Sequence, residues 1–160
     1  MRSSPSVDQR RRPWTAPVPE DIPIGLNVAV AARVDQLLRE ASEVLGCEAI
    51  AIRCDCENLE TVYVEREDDQ IVITDRGETY GYLSRGTDNT YDLTLLSDEN
   101  ARSICARHGV DFDVTSDAEL LPRISRPIGE ANDVPGAVQA VAAAIDEIFE
   151  AALQPGLRRR

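Results

Sequence analysis

A chain of 160 residues, 42% apolar and only 4% aromatic, is the size of one domain with a real core. No stretch approaches the ~18 consecutive apolar residues of a membrane span. The Arg-bearing start MRSSPSVDQRRRPW has no apolar run behind it, so it does not read as a secretory signal and the expected compartment is the cytoplasm. Between residues 13 and 157, ten basic residues face 28 acidic ones, a net charge of −18. A body this acidic repels phosphate backbones, so direct nucleic-acid binding by the core is not expected. Every basic residue apart from His108 is Arg. The lack of lysine excludes Schiff-base chemistry and a P-loop lysine. A lone histidine excludes multi-histidine metal sites and two-imidazole relays.

Residues 1–25 are rich in Ser, Pro and Arg, with five prolines, and read as a disordered or extended leader that is dispensable for folding. Trp14, the only tryptophan, either docks this leader on a surface or anchors a partner. Asn27 is placed to cap a helix that stops at Gly46. Val30, Val34, Leu37, Leu38, Ala41, Val44 and Leu45 form one apolar stripe along it. The period then changes to two, and residues 49–54, 60–66 and 70–74 read as strands. Their short links favour antiparallel neighbours, hence a three-stranded meander. Ser97 caps a second helix carrying Ala101, Ile104, Cys105 and His108 at helical spacing, and Gly109 ends it. Residues 110–114 and 119–124 suggest a hairpin turning at Thr115-Ser116-Asp117. A last helix starts at Asn132 or Asp133, takes Pro135 in its first turn, and aligns Val134, Val138, Val141, Ile145, Ile148 and Ala152. The expected fold is α+β, in the order α-β-β-β-α-β-β-α, with an antiparallel sheet and helices mainly on one face. Residues 26–153 form a single domain, and 154–160 a basic tail.

The stretch QIVITDRGETYGYL, residues 70–83, breaks at Asp75-Arg76-Gly77-Glu78. Asp75 and Glu78 are candidates for a paired-carboxylate site. Asp68 and Asp69 lie at the other end of the strand, roughly 15–17 Å away, too far to share an ion. The structural reading is the stronger one: Asp75 accepts backbone N–H bonds in a turn and Gly77 takes positive φ. Cys54-x-Cys56 with Cys105-x-x-His108 offers three sulfurs and a nitrogen to zinc. The stronger reading is again structural, as buried or free thiols, because Cys105 sits on a core stripe. No metal and no cofactor is therefore expected.

From about Leu59 to Ala152 the chain resembles the bacterial and phage family called domain of unknown function 1828. The likeness rests on a "TDDG" corner after a strand, here Thr74-Asp75-Arg76-Gly77, with Leu83 after it. It continues in the Gly109-Val110 step, the acidic Glu119-Leu120 strand and the Gln139-Ala140 pair of a long terminal helix. Arg76 stands where the family has its second Asp. The resemblance implies no assigned chemistry. The element order is also similar, at the level of the fold, to the dimeric acidic chaperones of type III secretion.

The expected function is that of a non-enzymatic acidic protein-interaction module: chaperone-like, an adaptor, or immunity-like. A protein partner and a homodimer are expected. Asp75, Arg76, Gly77, Glu78 and Tyr63 are the candidate binding residues. Thr61, Tyr63 and Val72 are expected to put apolar surface on the open face of the sheet. Two alternatives stand beside this: a nucleic-acid mimic that inhibits a nuclease or defence factor, and an enzyme of unrecognised type using Asp75 and Glu78.

Overall fold

The computed structural model describes residues 22–23, 27–53, 59, 61–85, 90–114, 121–130 and 133–157. The fold is α+β. In chain order the elements are β1 (Ile22–Pro23), α1 (Asn27–Leu45), β2 (Ala49–Arg53), β3 (Thr61–Glu67), β4 (Gln70–Thr74), α2 (Glu78–Arg85), a 3-10 turn (Leu93–Leu95), α3 (Asp98–Arg107), β5 (Asp111–Asp113), β6 (Arg123–Ile128), α4 (Val134–Ala152) and a final 3-10 turn (Pro155–Leu157). One sheet holds all six strands in the order β1-β2-β3-β4-β6-β5. The pairings from β2 to β5 are antiparallel, while the two residues of β1 lie parallel to β2. No helix of the described residues is long and apolar enough to cross a membrane.

The meander β2-β3-β4 follows the period-two pattern closely. β3 and β4 are joined by Asp68 and Asp69 alone, with φ of 49° and 64°. Two left-handed residues in a two-residue hairpin match the right-handed twist of the strands. Alternation then sorts the side chains. Ile50, Ile52, Val62, Val64, Ile71, Ile73, Ile124 and Ile128 join α1 and α4 in the main core. Leu37, Leu38, Ile145, Ile148 and Phe149 are among its fully buried side chains, each worth roughly 1.5–3 kcal/mol of burial. α1 stops at Gly46, whose φ is +83°. Ser97 caps α3 by accepting from the Asn100 N–H.

Within the segment read as a disordered or extended leader, Ile22 and Pro23 are extended and pair with Ile52 and Arg53. Four expectations from the sequence need correction. Val44 is not a core residue: it is 59% exposed, in the last turn of α1. Asp133 begins α4 in helical backbone geometry and makes no side-chain capping bond. A helix, α2, follows the corner after β4, where no helical period was visible. The last strand begins at Arg123 rather than 119, and runs through Pro127.

The tolerance of Pro127 has a direct cause. Ile124 turns both its N–H and its carbonyl toward Asp75, on the β4 side. Alternation turns residue 127 to the other side. There β5 has already ended, since it pairs only with residues 123–125. The missing N–H of Pro127 therefore breaks no ladder bond. Trp14, the proposed turn at Thr115-Ser116-Asp117, Glu119-Leu120, Asn132 and the cysteines Cys54 and Cys56 lie outside the described residues.

Candidate functional site

The ladder between β4 and β6 ends at the pair Thr74 and Ser125. Asp75 extends it by other means. Its N–H donates to the Ile124 carbonyl at 3.1 Å, and its Oδ1 accepts from the Ile124 N–H at 2.9 Å. The same Oδ1 accepts from the Gly77 N–H at 2.9 Å, and Oδ2 accepts from the Thr79 N–H at 3.2 Å. The Asp75 carbonyl accepts from the Glu78 N–H at 3.1 Å. Thr74 Oγ1 accepts from the Arg76 N–H at 3.0 Å. The chain reverses through two consecutive left-handed residues, Arg76 (φ 57°) and Gly77 (φ 78°). One carboxylate thus ties the end of β4, the start of β6 and the first turn of α2. Charge-assisted bonds of this kind are worth about 1.5–3 kcal/mol each. Burial pushes the Asp75 carboxyl above its ordinary pKa, against the pull of those N–H donors. The Thr79 hydroxyl lies near enough to favour the Asp75 anion but does not reach hydrogen-bonding geometry.

The neighbouring side chains fold onto the sheet face away from α1 and α4. The Arg76 guanidinium lies over the Tyr63 ring, 4.9 Å from its centroid, and is ion-paired with Glu65. Glu78 is half-buried. Desolvation raises its pKa to about 6, the nearby Asp75 charge adds to the rise, and a hydrogen bond from Tyr63 and the charges of Arg76 and Arg85 oppose it. Its Oε2 is buried without a hydrogen-bond partner. Cys47 enters beside Arg76; burial raises its thiol pKa and the guanidinium pulls the other way. On the same face Arg123 reaches across β4 to Glu67, at 2.7 Å, and lies 3.6 Å from Asp113. Ser125 donates to Asp113 at 2.7 Å.

The structure gathers all five candidate residues into one cluster. Asp75, Arg76, Gly77 and Tyr63 are buried, and only Glu78 reaches the margin. The expectation of an open apolar face is corrected: Tyr63 is 2% exposed and Val72 5%, and only Thr61 is half-buried. Arg76 and the ion pairs around it account for part of that enclosure. Sequence reasoning missed Glu65, Cys47, Arg123 and Ile124. Glu65 was within reach of it, two residues from Tyr63 and hence on the same face. Ile124 gives no signal, because its contribution is a backbone N–H. As an acid–base pair, Asp75 and Glu78 are poorly placed: both oxygens of Asp75 are committed to backbone donors. Asp68 and Asp69 are exposed at the hairpin tip, away from the corner.

The remaining motifs resolve separately. Cys105 is buried in the core, and its thiol pKa is raised to about 12, mainly by burial. His108 hydrogen-bonds Glu147 on α4 at 2.9 Å. Among the described residues no group of three His, Cys, Asp or Glu is placed to hold a metal ion. A second feature stands out on α2, four residues after Glu78. Tyr82 is 46% exposed and packs edge-on against Tyr91 and Phe149, at 6.2 and 5.5 Å between centroids.

Comparison with family models, with curated proteins and with solved structures returns no match. The likeness to domain of unknown function 1828 therefore rests on the short motifs alone.

Proposed function

We propose that this domain is a non-enzymatic acidic protein-interaction module, of the chaperone-like, adaptor or immunity-like kind, and that its contact with a protein partner centres on α2. The observation that carries the reading is Tyr82. The corner at Asp75 fixes the start of α2, and α2 in turn holds a tyrosine half in water against two aromatic neighbours. A rigid, part-exposed tyrosine adds contact area at little entropic cost, and such residues dominate interface energetics. The surplus of carboxylates over arginines in the body of the chain favours a basic partner surface and speeds its encounter. On this reading Asp75, Arg76, Gly77, Glu78 and Tyr63 position the contact helix instead of touching the partner. The nucleic-acid mimic asks for an unbroken row of carboxylates. Here several are interleaved with arginine: Arg66 with Asp35 and Glu48, Arg107 with Glu147, Arg123 with Glu67 and Asp113.

The test is affinity capture from the source cells, followed by titration of the recovered partner with the wild-type chain and with Tyr82→Ala. A partner bound in stoichiometric amounts should lose ~2 kcal/mol of affinity on truncation of a central tyrosine, about thirtyfold in Kd. Equal affinity for a well-folded Tyr82→Ala protein would remove Tyr82 from the interface and the proposal with it.

A further inference from the structure

The sheet ends on one side at β5, and that edge is open. Ile124 turns its N–H and carbonyl toward Asp75, so alternation turns those of Arg123 and Ser125 toward β5. Their partners there are Asp113 and Asp111. Phe112, between them and opposite Ile124, therefore points its N–H and carbonyl away from β6, where no strand of the described residues lies. Both ends of this edge meet water: Asp111 is exposed, and Val114, just past β5, is 47% exposed. The edge also has two unlike faces. Asp111 and Asp113 share the face of Ser125, away from α1 and α4. Phe112 lies on the core side, its ring 5.5 Å between centroids from Tyr80 of α2. The next stretch of β6 adds no donor to the edge, because Pro127 turns that way without an N–H.

We infer that the β5 edge binds an extended segment of a protein partner as an added antiparallel strand, one that alternates basic and apolar residues. The backbone supplies the pairing. The partner residue opposite Phe112 donates its N–H to the Phe112 carbonyl and accepts from the Phe112 N–H. The side chains select the occupant. Residues opposite Asp111 and Asp113 would stand about 4.5–5.5 Å from them between Cβ atoms, where arginine or lysine is favoured. The residue between those two falls on the side of Phe112, and the one opposite Val114 covers an apolar side chain now in water. A second copy of this chain fits badly. Antiparallel pairing about Phe112 would set the Asp111 of each copy against the Asp113 of the other, like charges directly opposite. Short charged edge strands deter pairing in general; here the deterrent has one sign, which a basic strand turns into attraction. Tyr82 lies two residues past Tyr80, about 200° round the helix, so this contact is distinct from the one centred on Tyr82 and does not depend on it.

The probe is the blocked peptide acetyl-Val-Arg-Val-Arg-Val-amide, titrated into the isotope-labelled full-length chain and followed by nuclear magnetic resonance. At saturation the Phe112 amide hydrogen should exchange with solvent several-fold more slowly. Methylating the backbone nitrogen of the central valine removes the donor to Phe112 and should weaken binding about tenfold. Asp111→Arg should weaken it about tenfold as well, whereas Glu43→Arg, the same charge change on the exposed side of α1, should cost about twofold at most. Unchanged exchange at Phe112 under saturating peptide would overturn the proposal. So would equal affinity for the reordered peptide acetyl-Arg-Arg-Val-Val-Val-amide, which would reduce the binding to charge attraction alone. Protection of Phe112 that grows with protein concentration in the absence of peptide would put a second copy on the edge and overturn it too. The methylated and reordered peptides leave the protein unaltered, so the test stands whatever Asp111→Arg does to folding.

Discussion

Replacing Asp75 in two ways separates its hydrogen bonds from its charge. Asp75→Ala leaves the N–H groups of Gly77, Thr79 and Ile124 buried without their acceptor. An orphaned buried donor costs about 1–3 kcal/mol. Three of them, less the relief of no longer burying a carboxylate, come to a net loss of about 3–5 kcal/mol. Asp75→Asn is milder. Oδ1 carries two of the three bonds, to Gly77 and Ile124, and the amide oxygen can keep both. Only the Thr79 N–H then faces an NH2 group in place of an acceptor, and the relief of no longer burying a charge offsets part of that, for a net loss of about 0–1 kcal/mol. Urea unfolding followed by far-UV circular dichroism measures both. The expected order is wild type, then Asn, then Ala, with the Ala variant still native at low urea. An Ala variant within ~1 kcal/mol of wild type would mean that water or a relaxed backbone satisfies these donors, and the clasp would not be what holds α2. Asp75→Asn should keep its partner affinity. A well-folded Asn variant without its partner would place the Asp75 carboxylate at the contact itself.

Other perturbations follow from the same geometry. Gly77→Val should cost about 1–3 kcal/mol, more than Asp75→Asn, because a β-branched residue is strained at φ +78°; the nearest atom to a new Cβ, on Leu121, is 3.5 Å away, so the loss is one of backbone and not of space. Glu78 has a folded pKa raised to about 6, so its favourable contribution is complete below the ordinary carboxylate range and is lost as pH rises through 6. Glu78→Gln should flatten the stability profile there and gain about 1 kcal/mol above pH 7, part exposure holding the figure down; a steeper profile in the variant would contradict the assignment. A homodimer is expected from the low aromatic content and the exposed Tyr82 patch, and light scattering that returns 17.6 kDa at all concentrations would exclude it.

The sequence made some of this architecture legible and hid the rest for identifiable reasons. The meander was visible because apolar, mostly β-branched runs at 62–64 and 71–73 are separated by the turn residues Asp68 and Asp69, and α4 because ten buried positions impose a helical period over 19 residues. α2 was invisible. It has eight residues, contains Gly81 and two tyrosines, and owes its first turn to an acceptor outside it. Pro127 argued for a strand end, and only the position of β5 shows why it does not impose one. Asp75 and Gly77 could be read as a corner from their types. That the carboxylate closes on Ile124, 49 residues later, could not, since a backbone donor leaves no mark in the side-chain code.

That long closure sets an order of events in folding. Eight residues are too few to hold a helix in water unaided. The acceptor that starts α2 is fixed in place partly by β6, so the segment 78–85 gains its structure only after residues 123–128 have docked beside β4. The meander is local and can form early, whereas α2 waits on a strand synthesised well after it. In a refolding experiment the corner would register late, with values near zero in the transition state. In the native protein, fraying of β6 would release α2 in the same step, so the two should exchange amide hydrogens as one unit.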